Sequence, residues 1–257
     1  MPDITLLLAA LFLPLFPFSM VFNAVFDRLQ HVALRSLLLI VWPHIGLAIL
    51  QSSESGVPTW FMTWALATSL LYAFRMLALR GVGQWTSFLA TSMWATIWLA
   101  TTDTSQEMLQ FYALAISAPL VLLAFLSVGL EKRFGAAYTG LYGGLAQSIP
   151  RFTGVLVFVI LAAIATPLFP GFFIMLKLIL NSSALMPVAT FVLLGIWLLW
   201  SWAGVRLLQG LIVGTASQSE VTGTTALKDF NLITSWSYAI GLIALVFSSL
   251  YLTGGLS

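Results

Sequence analysis

The sequence predicts an all-α polytopic membrane protein of about eight transmembrane helices, two of them broken by proline. Three observations lead there. Only 10 Lys or Arg and 8 Asp or Glu occur in 257 residues, so charged residues make up 7%, where a soluble domain carries roughly 25%. Apolar residues reach 60%, and the mean hydropathy is +1.03. Polar, Gly or Pro-rich breaks divide the chain into stretches near the ~20 apolar residues that span ~30 Å of hydrocarbon. A water-soluble globule, a disordered chain and a nucleic-acid binder are excluded. The pI of about 9.1 rests on a net charge of only +2 and reports no basic patch. With no cysteine there is no disulfide, no thiolate metal site and no Cys nucleophile. Two histidines, His31 and His44, do not build a zinc site unaided. No metal, cofactor or catalytic residue is expected.

The eight stretches are 4–26, 32–50, 58–79, 84–101, 107–130, 152–180, 187–214 and 232–252. Each must be helical where it meets lipid, because hydrocarbon leaves no partner for a free peptide group. The first does not read as a cleaved signal peptide: it lacks a basic start and an A-x-A site, and Pro14 and Pro17 interrupt it. Eight crossings put Arg28, Arg80, Lys132, Arg133, Arg151 and Lys228 in loops on one side. The opposite loops contain no Lys or Arg, only Glu54 and Asp103. The positive-inside rule makes the basic side cytoplasmic and both termini external, in a bacterial inner membrane. A ninth crossing within 152–180 would move Lys228 to the wrong side. Arg35 and Arg75 read as interfacial anchors, and Trp197, Trp200 and Trp202 as residues of wide, partly lipid-facing helices.

Residues 14–18 read Pro-Leu-Phe-Pro-Phe, and residues 167–173 read Pro-Leu-Phe-Pro-Gly-Phe-Phe. Proline removes a backbone donor and clashes one turn back, so Pro14 with Pro17, and Pro167 with Pro170 and Gly171, should each unwind a helix. Interrupted segments in corresponding places point to an inverted-repeat transporter fold, whose unwound carbonyls line ion paths. Ordinary proline kinks are the alternative. Charged chemistry near mid-membrane is sparse. Lys177 is the deepest cation; burial should favour its neutral form, or it snorkels to the outer surface. His44, after Pro43, is either a proton relay or a packing residue bonded to a carbonyl. Arg206 stays charged, which suits a counter-charge or partner anchor, and Arg80 is grouped with it. No Asp or Glu lies deep in any predicted helix, so a Lys–carboxylate relay cannot be assembled. Ser69, Gln84, Thr91, Ser117 and Ser248 could hold a few waters or serve as ordinary helix contacts.

Several runs together resemble the antiporter-like proton-translocating subunits of respiratory complex I, Mrp antiporters and related hydrogenases. Tyr142-Gly143-Gly144-Leu145, Pro150, Leu161 to Pro167 and Gly171-Phe172-Phe173 resemble the approach to that family's discontinuous twelfth helix. Ser201 to Arg206 resembles its thirteenth helix, Arg80 with Trp85-Thr86-Ser87 a basic run after its ninth, and Phe16-Pro17-Phe18 the break in its seventh. The resemblance implies crossings seven to fourteen of that fold in one transmembrane domain, 1–257. Within it, 4–50 is a remnant of a first repeat, 58–214 the second repeat and 232–252 a peripheral helix.

The departures bear on function. Nothing here matches the family's first six helices or its fifth-helix glutamate. The lysine before its seventh-helix break has no counterpart; Phe12 sits near that place. Its twelfth-helix Lys or Glu falls nearest Met175 and Leu176, with Lys177 one or two positions later, a turn of ~100–200° about the helix. The resemblance therefore implies an accessory, non-conducting subunit of an ion-coupled complex, not an enzyme on its own. Its partners would be membrane lipid and a full-length antiporter-like subunit, a soluble catalytic subunit, or both; a two-part inorganic-carbon uptake complex is one such setting. The alternative is a proton- or sodium-conducting half-channel that uses Lys177 and His44 within a larger assembly.

Overall fold

A computed structural model describes residues 4–53, 56–140, 144–185, 187–213 and 229–253. Among them the chain forms α1 (Ile4–Phe12), α2 (Ser19–Arg28), α3 (Val32–Gln51), α4 (Thr59–Met76), α5 (Val82–Ala100) and α6 (Gln106–Phe134). There follow the one-turn α7 (Leu145–Ser148), α8 (Pro150–Ala163), α9 (Pro170–Leu185), α10 (Pro187–Ile212) and α11 (Leu232–Thr253). The described residues contain no strand. Helices α3, α6, α10 and α11 are each long and apolar enough to cross a membrane alone. The predicted first and sixth crossings are each two half-helices, α1 with α2 and α8 with α9, because the proline pairs stop the ladder at 13–18 and 164–169. The chain is an all-α integral membrane protein. The loop residues Glu54, Tyr142, Gly143, Glu220 and Lys228 lie outside the described residues.

The predicted basic loops meet at one end of the bundle. Arg35 lies 3.5 Å from Glu131, Gln84 donates to Asp27, and the Thr139 N–H donates to the Arg80 carbonyl. At the other end the Gln106 amide donates to the Leu47 carbonyl. Two sequence expectations change here. Glu131, Lys132 and Arg133 belong to the last turn of α6, not to a loop; Gly135, at φ +79°, ends that helix in the left-handed conformation that glycine adopts freely. There the two cations complement the helix dipole. Arg35 is not an interfacial anchor: its side chain is only 11% exposed, and its Nε donates to the Leu29 carbonyl at 2.6 Å.

Helix α8 begins at Ile149 and Pro150 without a cap from its own sequence. Asp229, next to α11, supplies one. Its carboxylate accepts the N–H groups of Arg151 and Phe152, each at 3.0 Å, and that of Phe230 at 2.7 Å. Phe230 then stacks on Tyr238 of α11 and meets Phe152 of α8 edge-on. This node seats α11 against α8. Burial opposes ionisation of Asp229, but the three N–H donors and the Arg151 charge prevail and hold its carboxyl below the ordinary 3.8. With the folded value depressed, the stabilisation is complete above pH ~4 and fades as pH falls through the lower folded value. Asp229→Ala should therefore cost about 1 kcal/mol at pH 7, as a lost helix cap does, and less at pH 3. Thermal unfolding in detergent at the two pH values measures this; an equal deficit at both contradicts it.

Candidate functional site at the two helix breaks

An unwound stretch in a membrane must place its carbonyls somewhere. In the first break they go to tryptophans. The indole N–H groups of Trp42, Trp98 and Trp64 donate to the carbonyls of Leu11, Leu13 and Phe16, at 3.2, 3.0 and 2.6 Å. The Phe16 N–H donates to the Thr68 hydroxyl, and the Leu15 N–H reaches back five residues to Ala10. Three neighbouring helices, α3, α4 and α5, thus close the break. The second break follows the same scheme with fewer partners. Trp197 of α10 donates to the Ala165 carbonyl at 3.1 Å, and Thr166 donates to Leu161 through both its N–H and its hydroxyl. Ala165 and Leu168 hold φ of +58° and +87°, at a cost of about 1–3 kcal/mol each. Close approach fixes both breaks: a Cβ on Gly46 would lie 2.8 Å from the Leu13 nitrogen, and one on Gly204 would lie 2.8 Å from Ile164 methyls.

Between the breaks runs a discontinuous ladder of neutral groups, in which the Asn23 Oδ1 finds no partner among the described residues. Ser19 bonds Tyr72, Asn23 donates to the Ser19 carbonyl and to Thr91, and Ser69 and Ser92 bond each other. Trp200 donates to Ser92 and Trp94 to Ser117. Ser69, Thr91 and Ser117 therefore bond protein partners directly. Among the described residues no Asp, Glu, Lys, Arg or His is fully buried. Beside the second break, Met93, Gly171, Met175 and Trp200 border a void of about 10 Å³, at the lower limit for one water.

The residues singled out from the sequence fall around this ladder rather than in it. Lys177 is half-buried on α9, with its Nζ 6.0 Å from the Tyr112 ring centre and no carboxylate partner among the described residues. His44 is half-buried on α3, beside the exposed Val41 and Ile45. Its Nδ1 lies 2.6 Å from the Ile40 carbonyl; a carbonyl only accepts, so Nδ1 carries the proton. No hydrogen bond or ion pair joins His44 to Lys177 among the described residues. Arg80 and Arg206 come together, on the walls of one open groove at the basic end. Trp200 is buried and Trp197 half-buried, each donating inward, while Trp202 on the same helix is 56% exposed, as a partly lipid-facing helix requires. Sequence reasoning missed Trp42, Trp64, Trp98, Asn23 and Tyr72. The one available hint was the wealth of tryptophan, 10 residues, whose N–H seeks an acceptor when buried.

No protein-family model matches the chain. An uncharacterized protein of Aquifex aeolicus (strain VF5) is 24% identical over 203 residues, 78% of this chain and 82% of that protein. Solved structures are more informative. A chain of the Mrp complex from Dietzia sp. DQ12-45-1b superposes with a TM-score of 0.81 at 16% identity, covering 98% of this chain and 56% of its own. The fold is that of an antiporter-like membrane subunit. Respiratory complex I from Thermus thermophilus contributes a second match, with TM-score 0.79, 19% identity, and coverage of 96% and 54%. The membrane-bound sulfane sulfur reductase, an archaeal respiratory membrane complex, gives 0.78, 15%, 96% and 51%. The chain spans about half the length of these solved relatives.

With the antiporter-like fold established, the register after the second break acquires a meaning. Met175 is 2% exposed and faces the core between α5 and α10. Lys177 stands two residues on, roughly 200° around α9, and meets α6 instead. Of the two positions nearest the twelfth-helix cation in the resemblance, Met175 is buried and Leu176 half-buried.

Proposed function

We propose that this chain is an accessory, non-conducting antiporter-like subunit of an ion-coupled membrane complex, without catalysis of its own. One observation carries the reading: carbonyls of both breaks are bonded to tryptophan N–H groups, and the ladder between them is neutral. A proton path through lipid needs titratable side chains linked by water. Among the described residues the ladder supplies no carboxylate, amine or imidazole. The natural partners are a full-length antiporter-like subunit and a soluble catalytic subunit, with the basic loops cytoplasmic; inorganic-carbon uptake is one setting for such a set. A conducting half-channel rests on Lys177 and His44; Lys177 lies half-buried over Tyr112 with no counter-ion among the described residues.

The two readings separate in the assembled complex. Lys177→Ala and His44→Ala, singly and together, should leave ion-coupled activity within about twofold of wild type, at unchanged subunit stoichiometry on co-purification. In parallel, the wild-type chain alone in sealed vesicles should not dissipate an imposed pH gradient. A tenfold loss in a fully assembled Lys177→Ala complex, or rapid leakage through the lone chain, overturns the accessory reading.

A further inference from the structure

We propose that the groove at the basic end binds the phosphate-bearing headgroup of an anionic phospholipid. The groove, about 680 Å³, opens between α4, the start of α5 and the end of α10, and its walls include Arg80, Arg206, Trp85 and Leu207. Both arginines are exposed, and neither has a carboxylate partner among the described residues. A planar guanidinium matches phosphate oxygens two at a time, and basic pockets between transmembrane helices take anionic headgroups. A second feature is independent of charge. Trp85 is 1% exposed, and its indole N–H has no acceptor among the described residues. Its ring forms part of the groove wall, and the nitrogen itself lies beneath that wall.

The groove is also built to keep its shape. The Thr139 N–H donates to the Arg80 carbonyl at 2.8 Å, and the Gly140 N–H donates to the Gly210 carbonyl at 3.1 Å. A Cβ on Gly210 would lie 2.9 Å from the Thr139 Cβ, so α10 and this segment are in close contact. The surroundings favour lipid over an acidic protein segment. Arg206 stands one turn beyond Trp202, itself one turn beyond Leu198, and both of these are exposed. This apolar stripe runs along α10 from the membrane span to the guanidinium. A phospholipid with its phosphate at Arg206 and Arg80 would lay an acyl chain along the stripe. This site is independent of whether the chain conducts ions.

The test uses the full chain in mild detergent and counts retained lipid by native mass spectrometry. Phosphatidylglycerol should be retained about tenfold better than phosphatidylcholine with the same acyl chains. Arg80→Gln with Arg206→Gln should abolish that preference. Arg206→Gln alone, a change on an exposed face, should reduce it about threefold. Arg28→Gln with Lys132→Gln, which removes two cations from the same end but outside the groove, should leave it within twofold. Equal retention of the two lipids by wild type, or an equal loss from the Arg28 and Lys132 pair, overturns the site. So does displacement of phosphatidylglycerol by millimolar inorganic phosphate, which would indicate a free-anion site, or by an acidic peptide, which would indicate a protein partner.

Discussion

Replacing Trp98 by alanine should destabilise the chain by about 3–5 kcal/mol, the range for deleting a large buried aromatic. Trp98 lies fully buried at the first break, 5.1 Å from the Phe61 ring, and donates to the Leu13 carbonyl. Lipid is as apolar as the core, so the transfer component of that range shrinks in a membrane and the loss falls at its lower end, set by fit and by interhelical hydrogen bonds. Trp98→Phe separates the two contributions. It keeps most of the ring and removes the N–H, leaving the Leu13 carbonyl without that donor. A buried unsatisfied group costs about 1–3 kcal/mol, while hydrogen bonds between membrane helices average nearer 0.6. The expected loss is about 1–2 kcal/mol, because an unwound segment has no backbone ladder to take the carbonyl back. Trp202→Ala, on the exposed face of α10, should cost under about 1 kcal/mol and controls for loss of aromatic surface. Thermal or denaturant unfolding in one detergent ranks the variants. If Trp98→Phe proves as stable as wild type, the indole does not hold the break and the plugged-break reading fails.

What the sequence made legible follows from which features lipid penalises. A cation in a transmembrane segment is costly, so the basic loops at Arg80 and Arg151 announced one end of the bundle, and the structure gathers them there. Proline removes a backbone donor whatever surrounds it, so the residues around Pro14 and Pro167 announced both breaks. The plugs were not legible, because they join residues far apart: Trp98 to Leu13 across 85 positions, Trp64 to Phe16 across 48. Nor does apolarity show which tryptophan turns inward in a chain whose lipid-facing and core-facing sides are equally apolar. Trp200 and Trp202 are two residues apart, yet one bonds Ser92 and the other is exposed. The Asp229 cap had the same obscurity, since Ile149 and Pro150 give no local sign that a carboxylate 78 positions away completes their helix. Lys177 lies between these cases. Its place in the chain suggested depth, but only the packing of α9 shows Met175 facing the core instead.

Gly46→Ala should destabilise by about 1–3 kcal/mol, although alanine is the better helix residue by nearly 1 kcal/mol. The sign depends on what the new methyl meets. At Gly46 it would lie 2.8 Å from the Leu13 nitrogen and 3.0 Å from the Phe12 carbonyl carbon. These are backbone atoms of the first break, already tied by the Trp98 bond to Leu13 and the Trp42 bond to Leu11. Relief requires α1 and α3 to separate, which strains both bonds, so overpacking outweighs propensity. At Gly204 the obstacle is the Ile164 side chain, 2.8 Å away at two methyls. That chain can rotate in part, so Gly204→Ala should cost less. Gly195, on the same helix, has nothing within 4 Å, and Gly195→Ala should be neutral or stabilise by up to about 1 kcal/mol. The predicted order of stability is Gly195→Ala, then Gly204→Ala, then Gly46→Ala, read from unfolding midpoints in one detergent. A Gly46→Ala chain that matches Gly195→Ala would mean that the first break yields freely to α3. A yielding break is not closed by its neighbours, and the contacts that place it against Trp42 and Trp98 would then not hold it shut.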